Sequence, residues 1–181
     1  MQGVYRLWHR SKELRESFVA APGPMGWRYF GRVHEPEGPE LFVVDHVVDG
    51  DWNLVRFRSV DVEGAEVIAV PAAGGVEVSI RGPAADRTER VDGATAVWSV
   101  SPSSLLVLDR RVGGLGGTVS AVRLEPGFDP ESITVQLSRR RSPGGVSTAE
   151  EVDVIVDGRP ILAVIREGVP LSAEGWFELM A

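Results

Sequence analysis

Glycine and proline interrupt this sequence at short, regular intervals, and this spacing constrains the fold more than any other feature. Between the interruptions lie short runs rich in Val, Ile, Leu, Phe and Trp. Such runs at roughly 8–12-residue spacing are typical of antiparallel sandwiches and barrels, so the pattern predicts a mainly β protein. Strands are predicted at residues 26–34, 40–48, 52–62, 65–71, 75–81, 94–100, 117–124, 131–140, 150–157, 160–166 and 174–180.

Two segments have helical rather than strand-like patterns. Residues 4–18 place Leu7, Leu14 and Phe18 at helical spacing. Residues 102–111 follow a serine that can cap a helix and begin with a proline, which suits a first helical turn. Asp157-Gly158 predicts a hairpin turn, and residues 142–149 are predicted to form a mobile loop.

Composition limits the possible partners. The chain has 181 residues, which predicts one domain over 1–181, and 43% of them are hydrophobic, enough for a substantial core. Its net charge of −7 argues against nucleic acid and against an anionic membrane surface. No segment approaches the ~20 apolar residues of a membrane-spanning helix, and the amino terminus lacks the apolar run of a signal peptide. We therefore expect a cytoplasmic protein without stable membrane insertion.

The sequence offers no metal or cofactor signature. It has no cysteine, which excludes disulfides, thiolate catalysis and cysteine-ligated zinc. His9, His34 and His46 are widely spaced, and the glycine-rich stretch at 113–117 lacks the Lys-Ser/Thr of a phosphate-binding loop. The expectation is a protein without a metal or cofactor.

The predicted strand at 40–48 is apolar on both faces. Phe42, Val44 and Val48 share a face with His46, and the opposite face is also apolar apart from Asp45. A second layer, a partner such as a second copy in a homodimer, or an apolar cavity inside a curled sheet would each explain two apolar faces. Periodicity alone leaves all three open.

Three stretches resemble a bacterial family described as glycolipid-binding proteins. They are FVVDHVVDGDWNLVRFRSVDV at 42–62, VDGATAVWSVSPSSLLVLDRRV at 91–112 and SITVQLSRRR at 132–141. The resemblance implies a strongly curved antiparallel sheet or barrel of about 10–11 strands, similar to bacterial lipoprotein carriers. The sheet would wrap around a short helical segment and enclose a central apolar cavity.

Several side chains are candidates for a site in such a cavity. His46 would be a base if it faces the cavity, although a hydrogen-bonded core histidine is the simpler interpretation. Trp52 and Arg56 would lie at the cavity mouth, where a guanidinium can hold a carboxylate or phosphate, or would belong to a solvated face. Trp98 would line the interior or fill the core.

Further candidates come from the resemblance. It runs through Arg110 and Arg111, one of which would reach inward from the helix, with Asp109 beside them as a possible ion-pair partner. It also runs through Gln136, a few residues before an arginine.

Three functions are compatible with these observations. The first is a protein that binds a large, mostly apolar molecule, such as a lipid, glycolipid or polyketide. The second is a cofactor-independent cyclase or isomerase acting on a polyketide- or terpenoid-like substrate in the same cavity. The third is an interaction domain with a solid core. A buried polar side chain inside an apolar cavity would favour catalysis.

Overall fold

A long curved sheet and one short helix make up the part of the protein that is described. The computed structural model describes residues 1–83, 85–113, 116–125, 129–140 and 149–180. The predicted loop at 142–149 therefore lies, apart from residue 149, outside the described residues. The first eight strands are β1 (Gln2–His9), β2 (Lys12–Gly23), β3 (Gly26–His34), β4 (Glu40–Val48), β5 (Leu54–Asp61), β6 (Glu66–Ala72), β7 (Gly75–Gly82) and β8 (Ala85–Asp92).

The second half of the chain contains the helix and seven further strands. They are β9 (Ala96–Ser99), α1 (Ser103–Val112), β10 (Gly117–Leu124), β11 (Glu131–Arg139), β12 (Ala149–Val156), β13 (Arg159–Arg166), β14 (Val169–Ala173) and β15 (Phe177–Met180). The predicted mainly β, curved antiparallel fold is confirmed. All eleven predicted strands are present, and the described residues contain fifteen.

The strand order explains how the sheet curves. All fifteen strands belong to one sheet, in which β1 pairs with β15 and the edges are β8 and β9. These two edges are consecutive in the chain, because β8 ends at Asp92 and β9 begins at Ala96. A connection of this length spans at most about 14 Å. The two edges must therefore approach each other, and the sheet curls into an open, barrel-like shape.

The helix crosses the interior of this curl. It connects β9 to β10, which are parallel neighbours in an otherwise antiparallel sheet. Residues Ser103 to Asp109 are buried, so seven of the ten helix residues are enclosed. The prediction of a helix at 102–111 is confirmed to within one residue, and Pro102 occupies the position immediately before its first turn.

The prediction of a helix at residues 4–18 is wrong. The segment forms β1 and β2, joined by a tight turn in which Arg10 and Ser11 have φ values of 50° and 66°. Positive φ at both central residues is the geometry of a type I′ hairpin turn. The spacing of Leu7, Leu14 and Phe18 fits a helix, but it equally places all three on the inner face of two paired strands, where they are buried.

The Asp157-Gly158 hairpin is confirmed. Both residues have positive φ, 48° and 76°, and the turn joins β12 to β13 in register. The interior of the curled sheet is filled by aliphatic and aromatic side chains from most strands and by the helix residues Leu105 and Leu108, which are fully buried.

Candidate functional site

A cleft of about 470 Å³ opens into the interior near the approach of the two sheet edges. Its wall combines residues from β4 to β8 with the last residues of β9 and β10 and the residues that follow these two strands. Most of the wall is apolar. The apolar residues that line it are Phe42, Val44, Phe57, Ala65, Val67, Ile80, Pro83, Val100, Leu124 and Pro130.

The mouth of the cleft is charged. We use "cleft mouth" for the half-buried or exposed charged side chains of its lining, which are Asp61, Glu63, Glu66, Arg81, Arg87, Glu125 and Asp129. Arg87, on the edge strand β8, forms an ion pair with Asp129, which precedes β11. This pair bridges the two halves of the sheet beside the cleft. Arg58, outside the lining, neutralises Glu66 at 2.5 Å.

The seven residues predicted from the sequence as site residues do not line this cleft. Trp52 and Arg110 do come together, because the Arg110 guanidinium lies 5.8 Å from the centre of the Trp52 ring. Trp27 stacks on Trp52 at 5.6 Å. This cluster follows the last residue of β4, whereas the cleft lies against Phe42, near its first residue. The cluster and the cleft therefore lie at opposite ends of β4.

The helix arginines do not reach inward. Arg110 is exposed and donates a hydrogen bond to the backbone carbonyl of Glu167 at 2.6 Å. Arg111 is half-buried and donates to the carbonyl of Thr95 at 2.7 Å. Of the three charged residues at the end of the helix, Asp109 is the one that faces inward, and it accepts a hydrogen bond from Arg139 at 2.8 Å. The ion-pair interpretation of Asp109 is the one the geometry supports.

Arg56 points away from the interior. In a regular strand Arg56 would share a face with Leu54, but a bulge at Val55 disrupts the register between β4 and β5. Leu54 is consequently buried, while Arg56 is exposed on the outer face. There Arg56 donates to Asp45 at 2.6 Å, and Arg28 donates to the same carboxylate at 2.6 Å.

Trp98 and Gln136 lie on different sides of the sheet. Trp98 is 8% exposed and packs against Trp176, with ring centres 4.6 Å apart. It precedes the cleft residues Ser99 and Val100 but belongs to the core. Gln136 is exposed on the outer face of β11. Neither position places a side chain in the cleft.

His46 lies in the interior, behind the cleft wall. It is 1% exposed, and its ring meets that of the cleft residue Phe57 edge-on, with centres 5.3 Å apart. Its Nδ1 lies 3.4 Å from Ser103 Oγ, and its Nε2 is buried without a hydrogen-bond partner in the described chain. Burial lowers the pKa of His46 to about 4, against the influence of Asp45, so the imidazole is neutral at neutral pH.

Glu16 is a functional candidate that the sequence analysis missed. It is completely buried on the inner face of β2, between Leu14 and Phe18. Its Oε1 accepts hydrogen bonds from Tyr29 Oη and Ser101 Oγ, both at 2.8 Å. Its Oε2 has no partner among the described residues. Burial raises the pKa of Glu16 to about 7, although both hydrogen bonds oppose the shift.

A chain of hydrogen bonds connects these groups at the start of the helix. Ser101 donates to Glu16 and accepts from the backbone N–H of Ser103 at 3.2 Å. The side-chain oxygen of Ser103 in turn lies within 3.4 Å of His46 Nδ1. We call Glu16, Tyr29, Ser101, Ser103 and His46 the buried network. Buried titratable groups with strongly shifted pKa values are candidates for function, because burial of a polar group costs free energy.

The absence of a side chain at Gly31 leaves room for the buried carboxyl group of Glu16. A Cβ at Gly31 would lie 2.1 Å from Glu16 Oε1. We expect Gly31→Ala to lower the free energy of unfolding by about 2 kcal/mol, because the clash must displace a packed carboxyl. Gly23→Ala is the control, since a Cβ there meets nothing within 4 Å. Urea unfolding of Gly31→Ala with and without Glu16→Ala measures the effect; an equal loss in both backgrounds would contradict the contact.

Period-two reading of residues 12–20 would have revealed Glu16. The residues Leu14, Glu16, Phe18 and Ala20 alternate with exposed or half-buried ones. The helical interpretation of 4–18 concealed this pattern, because it assigned the segment the period of a helix instead of the period of two of a strand.

The described residues contain neither a metal cluster nor a membrane helix. No group of three or more His, Asp or Glu side chains is placed to hold a metal ion within the described ranges. The helix found in those ranges, with ten residues, is too short to cross a bilayer.

Comparison with known proteins establishes the fold but no family. No protein-family model matches the sequence, and no curated protein matches it. A DUF1089 family protein from Pseudomonas aeruginosa has a similar structure, with a TM-score of 0.57, 16% identity, and coverage of 98% of this chain and 92% of that chain.

A second solved structure is similar over nearly the full length. It is a beta-barrel-like protein of the domain of unknown function DUF1849 from Brucella abortus, with a TM-score of 0.55 and 15% identity. The similarity covers 99% of this chain and 95% of that chain. These structures support the curved β fold that the resemblance implied, whereas membership of a glycolipid-binding family is not established by them.

Proposed function

We propose that this protein binds a small amphipathic molecule whose apolar part lies in the cleft. The observation that carries the proposal is the cleft itself, which at about 470 Å³ falls within the range of ~300–1,000 Å³ typical of small-molecule sites. Its apolar wall is supplied by residues from both halves of the sheet. Each 100 Å² of apolar ligand surface buried there contributes about 2.5 kcal/mol before the entropy cost of binding.

The charges of the cleft mouth indicate the polar part of the ligand. Five carboxylates and two guanidiniums line it. Hydroxyl groups are suited to such a mouth, because they donate to carboxylates and accept from arginine. The carboxylate excess disfavours an anionic head group. Lipid-like, glycolipid-like and polyketide-like molecules all satisfy this description.

Filling the cleft tests the proposal. Val67 lines the cleft from β6, and its neighbour Ile68 lies on the opposite face of the same strand. We expect Val67→Trp to weaken binding of the neutral fluorescent probe N-phenyl-1-naphthylamine at least tenfold, because the indole occupies the apolar volume. Ile68→Trp is the matched control and should bind as the wild type does. Equal affinity in both variants would contradict the proposal.

The buried network favours one alternative, a cofactor-independent cyclase or isomerase. A carboxyl group whose pKa is about 7 can both donate and accept a proton near neutral pH. In this alternative Glu16 exchanges protons with the substrate and His46, as a neutral imidazole, assists. The alternative predicts that material extracted from the wild type contains rearranged products, and that material extracted from Glu16→Gln contains only their precursors.

A further inference from the structure

Two polar atoms of the buried network lack partners. Glu16 Oε2 and His46 Nε2 are both buried, and neither has a hydrogen-bond partner in the described parts of the chain. Their side chains are 0% and 1% exposed. Buried polar groups in folded proteins are nearly always hydrogen-bonded, so these two atoms are candidates to bind a group from outside the described residues.

The buried network adjoins the inner end of the cleft. The cleft residue Ser99 accepts a hydrogen bond from the backbone N–H of Ser101, which belongs to the network. On β4, His46 shares its face with Val44, which lines the cleft two residues earlier. Phe57 is the cross-strand partner of His46 and lines the cleft as well. The Phe57 ring therefore contacts the His46 imidazole and lines the cleft as well.

The network is suited to a neutral group rather than a charged one. At pH 6 Glu16 is mostly protonated and His46 is neutral, because burial disfavours the charged form of each. An ion placed beside them would lose its hydration without gaining an opposite charge. A hydroxyl or a carbonyl, by contrast, can form a hydrogen bond with a protonated carboxyl group or with a neutral imidazole nitrogen.

We propose that the buried network is a deep subsite of the cleft, which binds a neutral hydroxyl or carbonyl at the inner end of an otherwise apolar ligand. The subsite rests on the proposed function, because the ligand must enter through the cleft. It requires the Phe57 ring to turn aside, a side-chain rotation that leaves the backbone of β5 in place. A ligand of this class is polar at both ends and apolar between them.

Nuclear magnetic resonance of the native protein tests the subsite. With only three histidines, selective ¹⁵N labelling of histidine resolves the His46 nitrogens. At pH 6 we expect 1-octanol to shift the His46 Nε2 resonance in a saturable manner, whereas 1-chlorooctane and octanoate leave it unchanged. Binding of 1-octanol without this shift would overturn the subsite but leave the cleft intact. Binding of none of the three probes would overturn the cleft as well.

Variants provide a second, independent readout. We expect His46→Leu to weaken 1-octanol binding about three- to tenfold, as befits one lost hydrogen bond, while 1-chlorooctane affinity stays unchanged. Glu16→Leu should have the same selective effect, and Glu16→Gln, which keeps a hydrogen-bonding group, should retain most of the 1-octanol affinity. Equal losses for the alcohol and the chloride would show a packing role and contradict the proposal.

Discussion

Replacement of Glu16 by glutamine is expected to stabilise the protein increasingly as pH rises, with a gain over wild type that grows by about 3 kcal/mol between pH 4 and pH 8. The pKa of Glu16 rises from 4.5 to about 7 on folding, chiefly through burial. Between these values the folded state binds a proton that the unfolded state has released. Stability therefore falls as pH rises through this window, and a neutral amide removes the loss.

His46 has the opposite effect on stability. Its pKa falls from 6.5 to about 4 on folding, so between these values the unfolded state binds the extra proton. Stability consequently rises with pH in this range, again by about 3 kcal/mol in total. The pH ranges in which Glu16 and His46 change the stability overlap. In the wild type their effects on the free energy of unfolding oppose each other from pH 4.5 to 6.5.

Single substitutions should reveal each contribution separately. Relative to wild type, Glu16→Gln should gain stability with rising pH, whereas His46→Gln should lose it. Tyr5 and Tyr29 do not titrate in this range, because burial raises the pKa of both above its ordinary value. Urea unfolding at half-unit intervals from pH 4 to pH 8 measures the differences. Parallel stability curves for the three proteins would contradict the assignment of the buried groups.

Removal of Arg139 should have the second large effect. Arg139 donates to Asp109, whose side chain is 3% exposed on the inner face of the helix. Burial raises the pKa of Asp109, and Arg139 opposes this rise. We expect Arg139→Met to lower the free energy of unfolding by about 3 kcal/mol at pH 7, because it leaves a buried carboxylate without its cation.

The next residue in the chain supplies the control for this prediction. Arg140 pairs with Asp153 on the surface, where both side chains are solvated. Arg140→Met should change stability by about 1 kcal/mol or less. Adding Asp109→Leu to Arg139→Met should recover most of the lost stability, since the unpaired charge is then gone. Equal effects of the two methionine substitutions would show that the buried pair contributes no more than a surface pair.

The sequence predicted most strands because local signals define them. The strand at 26–34 and the strand at 40–48 have the predicted bounds, since Gly, Pro and Asp mark their ends. The segment at 4–18 was misread, because the helical and strand periods coincide at Leu7, Leu14 and Phe18. Its turn, Arg10-Ser11, contains no glycine or proline, so the usual turn signal is missing.

The candidate site was harder to predict, since it depends on contacts between distant parts of the chain. The cleft forms where the edge strands β8 and β9 approach, and residues before and after this connection meet there only because the sheet curls. A single bulge at Val55 changed the face of Arg56. Glu16 and Ser101 are 85 residues apart in the sequence, and no local pattern connects them.

Methyl-resolved nuclear magnetic resonance with 1-octanol tests ligand binding in the cleft most directly. The proposed function predicts saturable shifts for the methyl groups of Val67, Ile80 and Leu124, which line the cleft. Val48 serves as the reference, because it pairs with Trp27 at the other end of the sheet. Saturable shifts confined to Val48 and its neighbours, or no saturable shift at any methyl group, would contradict the proposal that the cleft is the binding site.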